Sequence, residues 1–162
     1  MRLSNPAKLI ISLSIPLVAG LIGSLFTMPV IDTWYASLNK PFFNPPSWVF
    51  APAWIILYVM MGIAAFLVWK KAAGFGWKDN QIAVALIIFD IQLMLNLLWS
   101  VLFFGWQSPF FAFLEIILLW FAILVTILKF KKIEKRAAYL MIPYLLWVSF
   151  AAVLNYSIMV LN

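Results

Sequence analysis

Apolar residues fall into five long runs, at 9–28, 48–69, 81–104, 109–128 and 137–161, and between them lie short stretches that are basic, polar or broken by proline and glycine. Each run holds about 20 residues or more. At ~1.5 Å of rise per residue that length crosses the ~30 Å hydrocarbon core of a bilayer as a helix. The connections are 29–47, "KKAAGFGWKDN", "GWQS" and "KFKKIEKR". Lipid offers no partner to an open backbone, so helices with their turns in the headgroup region satisfy this pattern. A barrel needs period-2 alternation, which the runs lack. The predicted fold is an all-α membrane protein, a five-transmembrane-helix bundle forming one domain over 1–162, with no internal repeat or soluble appendage.

Polar residues inside the runs are costly and so mark faces that avoid lipid. A carboxylate near a helix centre costs roughly 2.5–3.5 kcal/mol to insert, which puts Asp90 and Glu115 against protein or water, or makes them neutral. At 100° per residue, Gln92, Asn96, Trp99 and Phe103 share a narrow stripe of the third span, and Asp90 lies almost opposite Gln92. Trp54, Tyr58, Met61 and Ala65 line one side of the second span. Glu115, Leu119, Ala122 and Thr126 line one side of the fourth, and Tyr144, Trp147, Ala151 and Asn155 one side of the fifth. Two readings fit these stripes. They line a mostly apolar cavity with a few placed donors and acceptors, suited to a flat hydrophobic ligand with a polar edge; or they are helix-packing faces, since small and weakly polar residues also hold membrane helices together.

Composition sharpens the class. With 67% hydrophobic and 10% charged residues, the chain has too little polar surface to coat a soluble globule. It contains neither Cys nor His, which removes disulfides, thiolate metal sites, the cysteine nucleophile and the commonest general base and haem ligand; no metal site is expected. The N-terminal "MRLSNPAKLIISLSIPLVAG" has basic residues before an apolar run, as a signal peptide does. That run is too long and lacks an A-x-A-like cleavage site, so it reads as a retained first helix. With five spans, Arg2, Lys8, Lys70, Lys71, Lys78, Lys129, Lys131, Lys132, Lys135 and Arg136 share one side and only Lys40 lies opposite. The positive-inside rule then sets the N-terminus in the cytoplasm and the long first loop outside. A net charge of +6 distributed this way points to anionic lipid rather than nucleic acid, which needs a folded basic surface.

The first loop stands apart. "KPFFNPPSW" (40–48) packs three prolines, Phe42, Phe43 and Trp48 into nine positions. Pro41, Pro45 and Pro46 fix φ and remove amide donors, so the loop is ordered before any ligand arrives. It is expected to act as a stiff lid in which Phe42, Phe43 and Trp48 supply flat surface and Lys40 meets an acidic group at the pocket mouth. For Phe43 and Trp48 an interfacial aromatic belt is the alternative, and for Lys40 a headgroup contact.

The segments "WYASLNKPFFNPPSWVFAPAWIILYVMMG", "QLMLNLLWSVLFFG" and "PYLLWVSFAAVLNY" resemble the tryptophan-rich sensory protein and translocator protein family, TspO/MBR, formerly the peripheral-type benzodiazepine receptors. The resemblance runs in order over almost the whole chain. It implies a five-helix bundle, usually a homodimer, that binds porphyrins such as protoporphyrin IX and haem, benzodiazepine-site ligands and, in animal members, cholesterol, in a pocket opening toward the first loop. No cofactor is required; the porphyrin is the ligand. Carried over by matching residue, Tyr35, Trp54, Asn96, Trp99, Trp147, Ala151 and Asn155 are pocket or pocket-lid positions, and Glu115 takes the place of an acidic residue of the fourth span. Tyr58 and Tyr144 join them from the stripes.

Without His or Cys, stacking on Trp54, Trp147 and Tyr144 should dominate over iron ligation, so metal-free protoporphyrin should bind about as well as haem. The cholesterol pattern lacks its basic residue, since none follows Tyr156. Asp90 is also atypical, on a face with Ala83, Ile87, Met94, Leu97 and Val101; as the third span commonly contributes to the family dimer, Ala83 and Asp90 are expected at the subunit contact. The function implied is tetrapyrrole binding, transport or sensing linked to stress or photosensitivity. An enzyme-like alternative is light- and oxygen-dependent porphyrin breakdown involving Trp54 and Trp147, and proton-coupled transport through Glu115 is a third. The charge pattern suits a bacterial or archaeal inner membrane.

Overall fold

The computed structural model describes residues 3–72 and 77–162, with the side chains of 77–79 left aside; Arg2 and the Lys78 side chain, assigned above to the basic side, lie outside what it describes. Among the described residues, six α-helices occur in chain order: α1 (Asn5–Thr27), α2 (Trp34–Ser37), α3 (Phe50–Trp69), α4 (Trp77–Ser100), α5 (Pro109–Ile133) and α6 (Lys135–Leu161). A 3₁₀ turn, Ser47–Val49, leads into α3, and a π-helical turn, Val101–Gly105, ends α4. All but α2 belong to segments long and apolar enough to span a membrane. The chain is an integral membrane protein with a five-helix transmembrane bundle, and no strand occurs among the described residues.

The helices close into a ring. Going round it, α1 packs on α3, α3 on α6, α6 on α5, α5 on α4 and α4 back on α1, while α3 and α4 also touch across the middle. The interior is a continuous apolar cluster that includes Met61, Val68, Phe89, Ile123, Phe130, Met141 and Tyr144. A second cluster at the first-loop end joins Tyr35, Leu102, Phe103, Ala112, Leu154 and Ile158. Leu, Ile, Phe and Val also cover much of the outer surface, as expected when lipid is the solvent.

Local chemistry explains where the elements start and stop. Ser108 accepts a hydrogen bond from the Phe111 amide and Pro109 occupies the first turn of α5, a favoured helix start. In α1, Pro16 lacks the N–H that would bind the Ser12 carbonyl. A Cβ on Gly62 of α3 would lie 2.7 Å from that oxygen and 2.8 Å from the Leu13 Cα; only glycine permits this approach of the two backbones.

Three boundaries depart from the sequence expectation. The first span begins at Asn5 rather than 9, capped by Ser4, whose hydroxyl accepts from the Ala7 amide. The "KFKKIEKR" segment is not a loop: α5 runs through Lys129–Ile133, α6 starts at Lys135, and Glu134 alone separates them. Apolar runs end at the bilayer surface, but helices continue into the headgroups, and Lys131 and Lys132 in the last turn favour the negative end of the α5 dipole. Glu134 accepts from the Arg136 amide and pairs with Lys71 at 3.1 Å. The Lys71 ammonium, and then the Arg136 amide, hold the Glu134 carboxyl below its usual range. Finally, the long first loop contains α2, a short turn hidden by its aromatic composition.

Candidate functional site

The four stripes read from the sequence all face the bundle interior. Tyr58, Met61, Ala65, Gln92, Asn96, Phe103, Glu115, Leu119, Thr126, Tyr144 and Asn155 are buried, and Trp54, Trp99, Trp147 and Ala151 are half-buried against them. Asp90 and Ala83 are exposed on the outer face of α4, as the opposition of Asp90 to Gln92 required. Leu97, placed on the same outward face by ideal geometry, instead leans toward α1, 3.7 Å from the Cβ position of Gly23, and Val101 lies 3.7 Å from the Cβ position of Gly105 in the next turn. The π turn adds a residue to the local repeat and rotates the side chains from Val101 onward.

The centre of the site is aromatic. Trp54 stacks on Tyr58 with ring centroids 5.5 Å apart and planes at 26°, meets Tyr144 edge-on at 6.2 Å and Trp147 edge-on at 6.5 Å. Phe50 and Phe150 extend the cluster from Trp147, at 6.1 and 5.8 Å. Offset and edge-to-face contacts of this kind are each worth about 0.5–1.5 kcal/mol beyond burial. These rings come from α3 and α6 and are packed on one another.

A sparse polar framework surrounds the rings. The Tyr58 hydroxyl donates to Asn96 Oδ1 at 2.7 Å, tying α3 to α4. Trp99 Nε1 donates to Asn155 Oδ1 at 3.1 Å, and Asn155 Nδ2 donates to the Pro109 carbonyl at 2.8 Å, so Asn155 joins α4, α5 and α6. Trp120 Nε1 donates to Ser149 Oγ at 2.8 Å. Against these satisfied groups stand, among the described residues, three buried side chains without a hydrogen-bond partner: the Gln92 amide, the Glu115 carboxyl and the Tyr144 hydroxyl. Buried polar groups normally find partners, so these three are the chemically distinctive part of the interior. They supply both donors and acceptors to anything polar that enters.

The first loop lies over this end of the bundle and is fastened to it. Tyr35, in α2, is buried against Phe103 and Phe104 at 6.3 and 5.9 Å, and its hydroxyl donates to Asn44 Oδ1 at 2.9 Å. Burial pushes the Tyr35 phenol above the usual tyrosine value. Lys40 donates to the Ala36 and Leu38 carbonyls at 3.1 and 3.0 Å and sits 4.9 Å from the centre of the Tyr35 ring. Two of its three donors are spent on the loop itself. Phe43 packs on Phe150 at 6.3 Å, and Pro41 and Pro45 are half-buried around it. Phe42 and Trp48 do not close over the interior: they are 101% and 74% exposed, Trp48 because the 3₁₀ turn after Pro46 swings it outward. For Trp48 the interfacial alternative fits this placement.

Sequence reasoning missed several residues. Asn44 orders Tyr35; Asn39 and Asn162 clasp the loop to the end of α6, the Asn39 amide donating to Asn162 Oδ1 at 2.9 Å and Asn162 Nδ2 to the Asn39 carbonyl at 3.0 Å. Phe50 and Phe150 were hidden among fifteen phenylalanines. Only Asn44, flanked by "FF" and "PP", carried a turn signal.

Comparison with known proteins places this architecture. A family model described as "TspO/MBR family" matches residues 12–161. The chain is similar to the tryptophan-rich protein TspO of Chlorobaculum tepidum, 48% identical over 146 residues that cover 90% of each chain. It is also similar to the translocator protein of Ovis aries, 37% identical over 142 residues, 88% of this chain and 82% of that one. A third relative is the tryptophan-rich sensory protein of Cereibacter sphaeroides, 37% identical over 131 residues, 81% of this chain and 78% of that one.

Proposed function

Because this chain belongs to the TspO/MBR family, we propose that it serves a sensing or transport role in the membrane and does so by binding a flat hydrophobic tetrapyrrole, protoporphyrin IX or haem, between its helices. The names of its relatives, translocator and tryptophan-rich sensory protein, support the membrane role. What carries the finer reading is the convergence of Trp54, Tyr58, Tyr144 and Trp147 from two helices beside Asn96. Rings that stack on each other exchange those contacts for stacking on a larger planar ring at little cost. The unpaired Gln92, Glu115 and Tyr144 groups give the ligand a polar edge to meet. With no His or Cys in the chain, stacking holds the macrocycle, and iron adds little. Trp99, Ala151 and Asn155 shape the wall, and Tyr35, Lys40, Pro41, Phe43, Pro45 and Pro46 form the roof. The basic end faces the cytoplasm of a bacterial or archaeal cell and the roof faces outward.

The second copy of a homodimer docks on the outer face of α4. Asp90 stands there near the middle of the span Asn80–Gly105, in an apolar concavity of about 480 Å³ lined by Ile87, Ile91, Met94, Leu95 and Leu98. Two copies inserted in the same sense bring identical residues to the same depth, so a protonated Asp90 meets its own mate.

Carrier and porphyrin-degrading roles separate under light. Protoporphyrin IX is added to the protein in the presence of dioxygen, and the porphyrin absorption band is followed in darkness and under illumination, beside a Trp54→Phe/Trp147→Phe double variant. Saturable dark binding with equal photobleaching in both proteins supports a carrier or sensor. Bleaching that depends on the two indoles assigns photo-oxidative breakdown instead, and absence of saturable binding rejects the tetrapyrrole reading.

A further inference from the structure

We infer that the ligand reaches the aromatic cluster sideways from the bilayer, through the seam between α3 and α6, and not through the roof formed by the first loop. The inference rests on the ligand-binding reading above and adds the route to it.

Three observations carry it. First, the roof is bolted. Asn39 and Asn162 exchange two hydrogen bonds, Asn39 Nδ2 adds a third to the Leu161 carbonyl at 3.3 Å, and Asn162 Nδ2 also reaches the Ile158 carbonyl at 2.8 Å. The Tyr35 to Asn44 bond and the two Lys40 bonds stiffen the loop from within. Opening it breaks several polar contacts at once.

Second, the α3–α6 seam has no such fastening. Side-chain hydrogen bonds join α3 to α4, α4 to α6 and α5 to α6, but none joins α3 to α6 among the described residues. What crosses it are the ring pairs Phe50–Trp147, Trp54–Tyr144 and Trp54–Trp147 beside aliphatic side chains. In hydrocarbon the aliphatic contacts part without a hydrophobic penalty because lipid tails replace them, and an entering planar ligand replaces the ring contacts.

Third, the outer side of that seam is already concave. A groove of about 410 Å³ is lined by Ala53, Leu57, Met60, Pro143, Leu146 and Trp147, with Phe150 at its upper end. Trp147 is both a wall of this groove and a member of the inner cluster, 6.5 Å from Trp54. Trp147 therefore stands between the groove and Trp54, and rotating it connects the two. The occupant is the site's own ligand in transit: a planar molecule with an apolar body partitions into the bilayer, and the groove presents apolar surface at that depth.

The test is kinetic. Protein is reconstituted in phosphatidylcholine vesicles preloaded with protoporphyrin IX, and association and dissociation rates are read from tryptophan quenching. Filling the groove with Ala53→Phe should slow both rates at least tenfold and leave Kd within about twofold. Widening it with Leu146→Ala should speed both, a gain that misfolding does not mimic. Releasing the roof with Asn39→Ala/Asn162→Ala should change neither rate more than twofold. Faster exchange on releasing the roof, with no response to either groove variant, overturns the lateral route. A second readout does not depend on the porphyrin: vesicles containing acyl-brominated phosphatidylcholine should quench a fluorescence component that Trp54→Phe removes and Ala53→Phe protects. If wild-type protein takes up no porphyrin but shows that quenching, the ligand assignment fails and the seam's opening to lipid stands. If the quenching is absent, the seam is closed and the inference fails whatever the ligand. Brominated-chain quenching combined with rates that ignore both groove variants marks a resident acyl chain and also overturns it.

Discussion

At the scale of single residues, the interior is set by how closely backbones approach and by which polar atoms are satisfied. Gly62 lies where Pro16 has left the Ser12 carbonyl without its helical donor, and a methyl group there would strike backbone rather than a movable side chain. Gly62→Ala is expected to destabilise the fold by about 1–3 kcal/mol, as overpacking at a fixed contact does. Gly23→Ala should be nearly neutral, because its nearest neighbour is the Ser100 hydroxyl at 3.3 Å and alanine's better helix propensity offsets the crowding. Thermal unfolding of both variants in detergent checks the contrast. Tyr35 gives a pH signature. Burial raises its phenol above the ordinary 10.0, so the folded state favours the neutral form; the stability it contributes is present below about pH 10 and lost as pH rises through the raised value. Phenolate absorbance that Tyr35→Phe removes should appear at higher pH than that of free tyrosine, and its appearance at or below pH 10 contradicts the buried placement. The sequence made the interior positions of Tyr58, Asn96, Glu115 and Asn155 legible because polar groups in a span must avoid lipid. It could not show that Asn96 and Asn155 are bonded while Glu115 and Gln92 are not, since pairing depends on interhelical distances no single-helix projection contains.

At the scale of elements, helix existence was written in the length of the apolar runs, whereas helix ends were not. Hydropathy reports where the membrane stops, and α5 continues past it through a basic segment to Ile133. The π turn was illegible for a related reason: Val101–Gly105 is as apolar as any helical stretch, and only the bond from the Trp106 amide to the Val101 carbonyl at 2.8 Å reveals the extra residue. Its exit places Gln107 at φ 52°, a left-handed conformation that glycine adopts without the Cβ penalty. Gln107→Gly should therefore raise stability, by about 0.5–1 kcal/mol after the added chain entropy is counted. A lowered unfolding midpoint would contradict this account of the α4–α5 turn. The lid shows the limit of composition: prolines announced a stiff loop, but the outward turn of Trp48 and Phe42 comes from the 3₁₀ entry to α3 and from the anchoring of Tyr35 and Phe43 on either side.

At the scale of the whole molecule, five helices enclose an aromatic cluster, and Asp90 is left on the outer face of α4. If Asp90 pairs with its mate, Asp90→Leu should lower the dimer fraction in both detergent and bilayers, read by crosslinking or single-molecule photobleaching; an unchanged dimer fraction removes Asp90 from the contact. The central claim concerns the cluster. It is tested most directly by titrating the reconstituted protein with protoporphyrin IX in darkness, beside Trp54→Ala/Trp147→Ala, and following quenching of the remaining tryptophans. The account predicts saturation at one ligand per chain and an affinity at least about fivefold weaker in the double variant, the weight of two aromatic contacts at about 0.5–1.5 kcal/mol each. Equal affinity in the two proteins, or quenching that never saturates, would contradict it.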